Sequence, residues 1–123
     1  MRRWSPFTAF LGVAVLAAAC ATLPPAKPVQ DIRTIAGKWE GTVTTPGGPS
    51  PYTMTIKEDG SYEGSFQGGT VVGSIRLSKG KILWKSDTSG RTGTYSLHEG
   101  EGHRLLVGQS DDGSITARLT PVR

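Results

Sequence analysis

The chain has 123 residues, a formal net charge of +4 from 14 Lys or Arg against 10 Asp or Glu, and a single cysteine. One cysteine excludes an intramolecular disulfide framework. No run of five or six basic residues occurs, and lysines 79, 81 and 85 flank a glycine turn instead of lining a helix, so a nucleic-acid footprint is excluded as well.

The N-terminus has the organisation of an export signal. Met1-Arg2-Arg3 is a short positive leader, Phe7 to Ala19 is an apolar run, and small residues follow at a cleavage point. The run is too short for a membrane span, which takes about 20 apolar residues. Two of the basic residues belong to this leader, so the remaining chain is close to +2. Past the leader the length suits one domain with one small core.

Leu16-Ala17-Ala18-Ala19-Cys20 resembles the lipobox of bacterial lipoprotein precursors. That resemblance implies cleavage before Cys20, a diacylglyceryl group and fatty acylation on its residue, and a membrane partner reached through the lipid. Ala21 is not aspartate, which by the same resemblance implies the periplasmic face of the outer membrane and not inner-membrane retention. An ordinary secretory signal ending in Ala17-Ala18-Ala19 is the alternative. Residues 20–34, with prolines at 24, 25 and 28, predict an extended spacer at ~3.1 Å per residue. Its reach would be on the order of 30 to 40 Å.

From Gly37 onward alternation with period two replaces any helical period. Trp39, Gly41 and Val43 share a face; Met54 and Ile56 follow, then the turn Asp59-Gly60. Tyr62, Gly64 and Phe66 lead to Gly68-Gly69. Val71, Gly73, Ile75 and Leu77 lead to Lys79-Gly80, and Ile82 to Ser86, with Trp84, to a loop at 87–90. Gly93, Tyr95 and Leu97 precede a turn at 99–102; Arg104 to Gly108, a turn at 111–113, and Ile115, Ala117 and Leu119 complete the series. The expected fold is all-β: a single antiparallel up-and-down barrel of about eight strands over 35–123, behind a leader (1–19) and a lipidated proline-rich segment (20–34). A two-sheet sandwich is the alternative. Glycines 41, 64, 73, 93 and 108, inside strands, favour a strongly curved sheet.

Gly37-Lys38-Trp39, opening the first strand, resembles the Gly-x-Trp start of lipocalins and related calycin barrels, including the avidin type. The resemblance implies that the tryptophan closes the barrel floor and that an arginine near the chain end, Arg118 or Arg123, packs across it. The helix that follows the barrel in lipocalins is not expected here.

Packing is the expected fate of the interior, with an apolar pocket as the alternative. Tyr52, Tyr62, Trp84 and Tyr95 would line it, each combining an apolar face with a polar tip. His98-Glu99-Gly100-Glu101-Gly102-His103 offers two imidazoles and carboxylates, a donor set for zinc or copper if a four-residue turn pairs His98 with His103; a solvated turn is the competing reading. Asp111-Asp112-Gly113 and Glu58-Asp59-Gly60 lack the ligand spacing of an EF-hand and are read as turns. No nucleophile elbow, no free thiol and no helix-borne His and Glu motif is present, so no catalysis and no cofactor are expected. The functional expectation is an envelope lipoprotein whose barrel binds a small apolar ligand, or a packed barrel that meets an envelope protein or glycan.

Overall fold

The computed structural model describes residues 24–122; the leader, Cys20 and Arg123 lie outside the described residues. Nine strands occur in it: β1 (Ala26–Lys27), β2 (Gly37–Thr45), β3 (Gly48–Ile56), β4 (Ser61–Phe66), β5 (Gly69–Ser78), β6 (Lys81–Ser86), β7 (Thr92–Gly100), β8 (His103–Ser110) and β9 (Thr116–Pro121). Strands β2 to β9 pair antiparallel with their sequence neighbours, and β9 pairs with β2, so the sheet closes as an eight-stranded up-and-down barrel. The sandwich alternative is not what forms. Closure leaves no long edge unpaired, which a chain this short and helix-poor needs.

Charged and hydroxylated side chains such as Lys38, Glu40 and Arg118 point out, while Trp39, Met54 and Leu119 are buried. This is the reverse of barrels that cross bilayers, which are apolar outside. No helix among the described residues is long and apolar enough to cross a membrane.

Two-residue turns fix most of the register. Gly100 faces His103 across Glu101-Gly102, both at positive φ (51° and 78°), the geometry that a right-twisted hairpin favours. Leu97 therefore faces Leu106 inside the barrel, and Glu99 faces Arg104. The first hairpin is longer than the alternation suggests. Strand β3 begins at Gly48 and contains Pro49 and Pro51, which pair only with β2, because β4 reaches β3 no further than Tyr52. Each proline sits where β3 has one neighbour, so its missing N–H breaks no ladder.

The main correction to the sequence reading concerns residues 24–34, expected as a free spacer. From Pro24 on the segment is bound along one end of the barrel. Ala26 and Lys27 pair with His98 and Leu97, extending the edge of β7 that β6 leaves open beyond Tyr95. The Val29 N–H donates to the Gly80 carbonyl (3.0 Å), and the 3-10 turn Ile32–Thr34, capped by Asp31, brings Ile35 over the barrel end. Val29 and Ile35 are fully buried. They join Trp39, Ile56, Ile82, Leu97, Leu106 and Leu119 in a solid plug that closes this end.

Trp39 is the centre of that plug. Its indole N–H donates to the Ile35 carbonyl (2.9 Å), and the Arg104 guanidinium lies 5.3 Å from its ring centroid. Arg104 also donates to Glu99 (3.0 Å) and to the Thr34 carbonyl, while Lys27 holds the other oxygen of Glu99 (3.2 Å). The arginine across the tryptophan is thus Arg104. Arg118 faces solvent from β9, because its position has the outward parity of that strand; Arg123 is outside the described residues.

Candidate functional site

The other end of the barrel is hollow. A cavity of about 560 Å³ runs inward from the turns β2–β3, β4–β5, β6–β7 and β8–β9. Packing was the expectation for the whole interior, and it holds only for the strapped end. Tyr52, Tyr62, Trp84 and Tyr95, the four side chains proposed as a pocket lining, all line this cavity, together with Val43, Phe66 and Val71. Phe66 stands at the mouth, 40% exposed, where a filled core was expected to cover it.

Space for the aromatic rings comes from glycines. Tyr62 lies opposite Gly73, Trp84 opposite Gly93 and Tyr95 opposite Gly108, each on the next strand, and Tyr52 leans diagonally over Gly64. A methyl group at Gly73 would stand 2.7 Å from Tyr62 Cε1, and one at Gly93 would stand 2.6 Å from Trp84 Cε2. Both lie inside van der Waals contact, so each ring occupies the volume a Cβ would take. At Gly64 and Gly108 a bulkier residue would meet only the tyrosine side chain and push it inward, whereas at Gly73 and Gly93 it would first meet a main-chain carbonyl of the next strand, that of Lys85 or Gln109. Close approach of rings and neighbouring backbone thus accompanies the curvature expected of these glycines.

The polar groups fall at two levels. Deep in the cavity the Tyr95 hydroxyl donates to Met54 Sδ (3.6 Å), a weak acceptor, and Tyr52 has no hydrogen-bond partner among the described residues. At the mouth the loops brace themselves. Ser110 and Ser114 donate to Asp112 (2.6 and 2.8 Å), Ile115 N–H donates to Ser110 Oγ (3.0 Å), and Arg91 spans to Asp112 (3.3 Å). These bonds hold the Asp112 carboxyl well below the usual carboxylate range, the Ser110 hydroxyl contributing most. Ser86, buried beside the cavity, accepts from the Ser89 N–H (3.1 Å) and anchors the loop before β7. A mouth tied in this way is preformed, which lowers the ordering entropy lost when a ligand enters.

Burial raises the pKa of all three tyrosine hydroxyls and so opposes their ionisation. Tyr62 is pushed up to about 12 by desolvation, reinforced by the charge of Asp87 and partly offset by the Ser86 hydroxyl. Tyr52 is raised by burial and by the nearby Tyr62, and Tyr95 by burial and by both of the others. A raised folded-state value contributes stability that is complete below about pH 10, the unfolded tyrosine value, and is lost as pH climbs through about 12. Because the chain has only these 3 tyrosines, an ultraviolet titration of tyrosinate is expected to show almost no ionisation at pH ~10. The signal should then rise together with loss of β-sheet circular dichroism. Half-ionisation near pH ~10 in the folded protein would place the rings in water.

The two histidines are not brought together. His98 faces Leu105 and His103 faces Gly100, so the four-residue turn on which the metal reading depended is a two-residue one. His98 Nδ1 donates to the Pro24 carbonyl (2.8 Å), with Ser96 Oγ 3.0 Å from Nε2, and so clamps the N-terminal strap, whereas His103 is exposed. Among the described residues no group of three or more His, Cys, Asp or Glu has metal-binding geometry.

Sequence reasoning missed Arg104, the strap residues Val29 and Ile35, and the glycine seats. The seats had a signal in the in-strand glycines, but aligning them with the aromatics takes the register. Compared with models of protein families, with curated proteins and with solved structures, the chain finds no match.

Proposed function

We propose that this chain is a lipid-anchored protein of the bacterial cell envelope whose barrel takes a small apolar or amphipathic ligand through its open end. The observation that carries the binding reading is the apolar cavity lined by Tyr52, Tyr62, Trp84 and Tyr95 inside a braced mouth. A barrel serving only as an interaction module for an envelope protein or glycan has no need of such a space, since eight strands can be filled by side chains. The Gly37-Lys38-Trp39 start of β2 and the arginine over Trp39 support a calycin-like reading of the barrel.

The anchor reading rests on the leader and on Cys20, and the strap gives it a geometric consequence. Pro24 lies against Gly100 at the closed end and its carbonyl is held by His98. Only residues 21–23 separate it from the acylated cysteine, about 14 Å at full extension. An acyl chain there would keep the closed end near the bilayer and turn the mouth away from it, toward the periplasm if the anchor is in the outer membrane.

Two measurements test the reading. Radiolabelled palmitate is expected to enter the wild-type protein and to be absent from Cys20→Ser; label in both would remove the anchor. Native mass spectrometry of protein purified from cells is expected to retain a small hydrophobic molecule that organic extraction releases. Protein that carries none and takes up none would favour the interaction module.

A further inference from the structure

The cavity's chemistry narrows its occupant, on the footing that it binds a ligand at all. Tyr62, Trp84 and Tyr95 each lie with one ring face on a glycine of the neighbouring strand, and they line the cavity with the rest of their surface. Trp84 and Tyr95 are tilted by 51° with centroids 6.4 Å apart, so this part of the wall is a faceted aromatic surface, beside the aliphatic Val43 and Val71. Aromatic walls of this kind favour a flat ring, which stacks or meets them edge to face, over a flexible acyl chain.

The polar groups then set what the ring must carry. No Asp or Glu lines the cavity, so a cationic group would find no counter-charge. Arg91, the one charged lining residue, is at the rim and already engaged by Asp112 and Ser114. Deeper in, Tyr52 is only 8% exposed, and its hydroxyl has no hydrogen-bond partner among the described residues although it borders the cavity. No buried side-chain nitrogen or oxygen among the described residues lacks a partner, so the Tyr52 hydroxyl is one that the cavity reaches, a donor open to an acceptor that enters. With no cation at that depth, a carboxylate would be desolvated without compensation, whereas a carbonyl oxygen accepts the bond and adds no charge.

We propose that the cavity binds neutral, planar aromatic or quinonoid compounds bearing a carbonyl oxygen, with that oxygen accepting a hydrogen bond from Tyr52 and the ring set against Tyr62, Trp84 and Tyr95. Substitution at the ring edge would project through the mouth past Phe66.

Titration calorimetry of the purified full chain with 2-acetonaphthone, naphthalene and palmitate tests this. The ketone is expected to bind about 3- to 10-fold more tightly than naphthalene, the net value of one hydrogen bond. In Tyr52→Phe that ratio should fall to about one, with naphthalene affinity unchanged. The variant keeps the ring and loses only an unpartnered hydroxyl, so it folds, and naphthalene binding serves as its internal control. Equal affinities for ketone and hydrocarbon in the wild type, or a ratio that survives in Tyr52→Phe, would overturn the carbonyl assignment. Palmitate binding more tightly than both naphthalene compounds would overturn the ring assignment while leaving ligand binding intact. Failure of all three probes to bind would instead count against the binding reading itself.

Discussion

Trp39→Ala is expected to lower unfolding stability by about 3–5 kcal/mol, the usual loss when a fully buried large aromatic is truncated. In a domain of this size, whose total is on the order of 5–15 kcal/mol, that is roughly a fifth or more of the whole. The reason lies in how many elements meet at this ring. Trp39 is 1% exposed, ties β2 to the strap through the Ile35 carbonyl, and gives Arg104 its aromatic face. Removing it opens a void at the closed end and leaves the Ile35 carbonyl without its indole partner, a second penalty on top of lost burial. Trp39→Phe should recover most of the apolar contact while still losing the indole hydrogen bond, and so fall about 1–2 kcal/mol below wild type. Urea denaturation of the three proteins checks the order. A loss under ~1 kcal/mol for Trp39→Ala would mean that the closed end is not a packed plug.

How legible this was depends on the length scale of each signal. Period-two alternation between residues 39 and 119 specified the strands and their inward faces, because one apolar face per strand leaves a single way to bury it. Ile35 and Val29 escaped that reading, being single apolar residues in a proline-rich stretch with no period of their own. What draws them in is the open end of a barrel whose β6 stops short of covering β7, a fact about the closed sheet that no local window contains. The 98–103 segment shows the opposite difficulty. Glycines at 100 and 102 allow either a four-residue or a two-residue turn, and the choice shifts every partner along the hairpin. A tight turn puts Leu97 against Leu106 and frees Arg104 for Trp39; the wider one would have set a guanidinium against a core leucine. Core complementarity selects the first. The cavity followed the same rule: its four aromatics were legible as inward-facing, but whether they fill the barrel or line it turns on which residues stand opposite.

Gly64→Ala should show that the glycine seats keep the cavity open. At this position the backbone has an ordinary φ, so alanine is conformationally allowed and, without a neighbour, would be neutral or stabilising by about 0.5–1 kcal/mol. The neighbour is Tyr52, whose Cζ would lie 2.6 Å and Cε1 2.7 Å from the new methyl. The ring must leave its place, and such overpacking costs about 1–3 kcal/mol. In a Tyr52→Leu background the obstruction is gone, and the same Gly64→Ala change should become neutral or stabilising. The pair is thus expected to show a coupling of about 1–3 kcal/mol, with the double variant more stable than the sum of the singles. Gly73 and Tyr62 provide the contrast. A methyl at Gly73 would strike the Lys85 main-chain carbonyl as well as the Tyr62 ring, so Tyr62→Leu should leave most of the Gly73→Ala penalty in place. Chemical denaturation of both cycles separates a glycine kept for a side chain from one kept for a strand. Equal rescue in the two cycles, or none at Gly64, would mean that the rings are free to move and that nothing in the wall holds the cavity open.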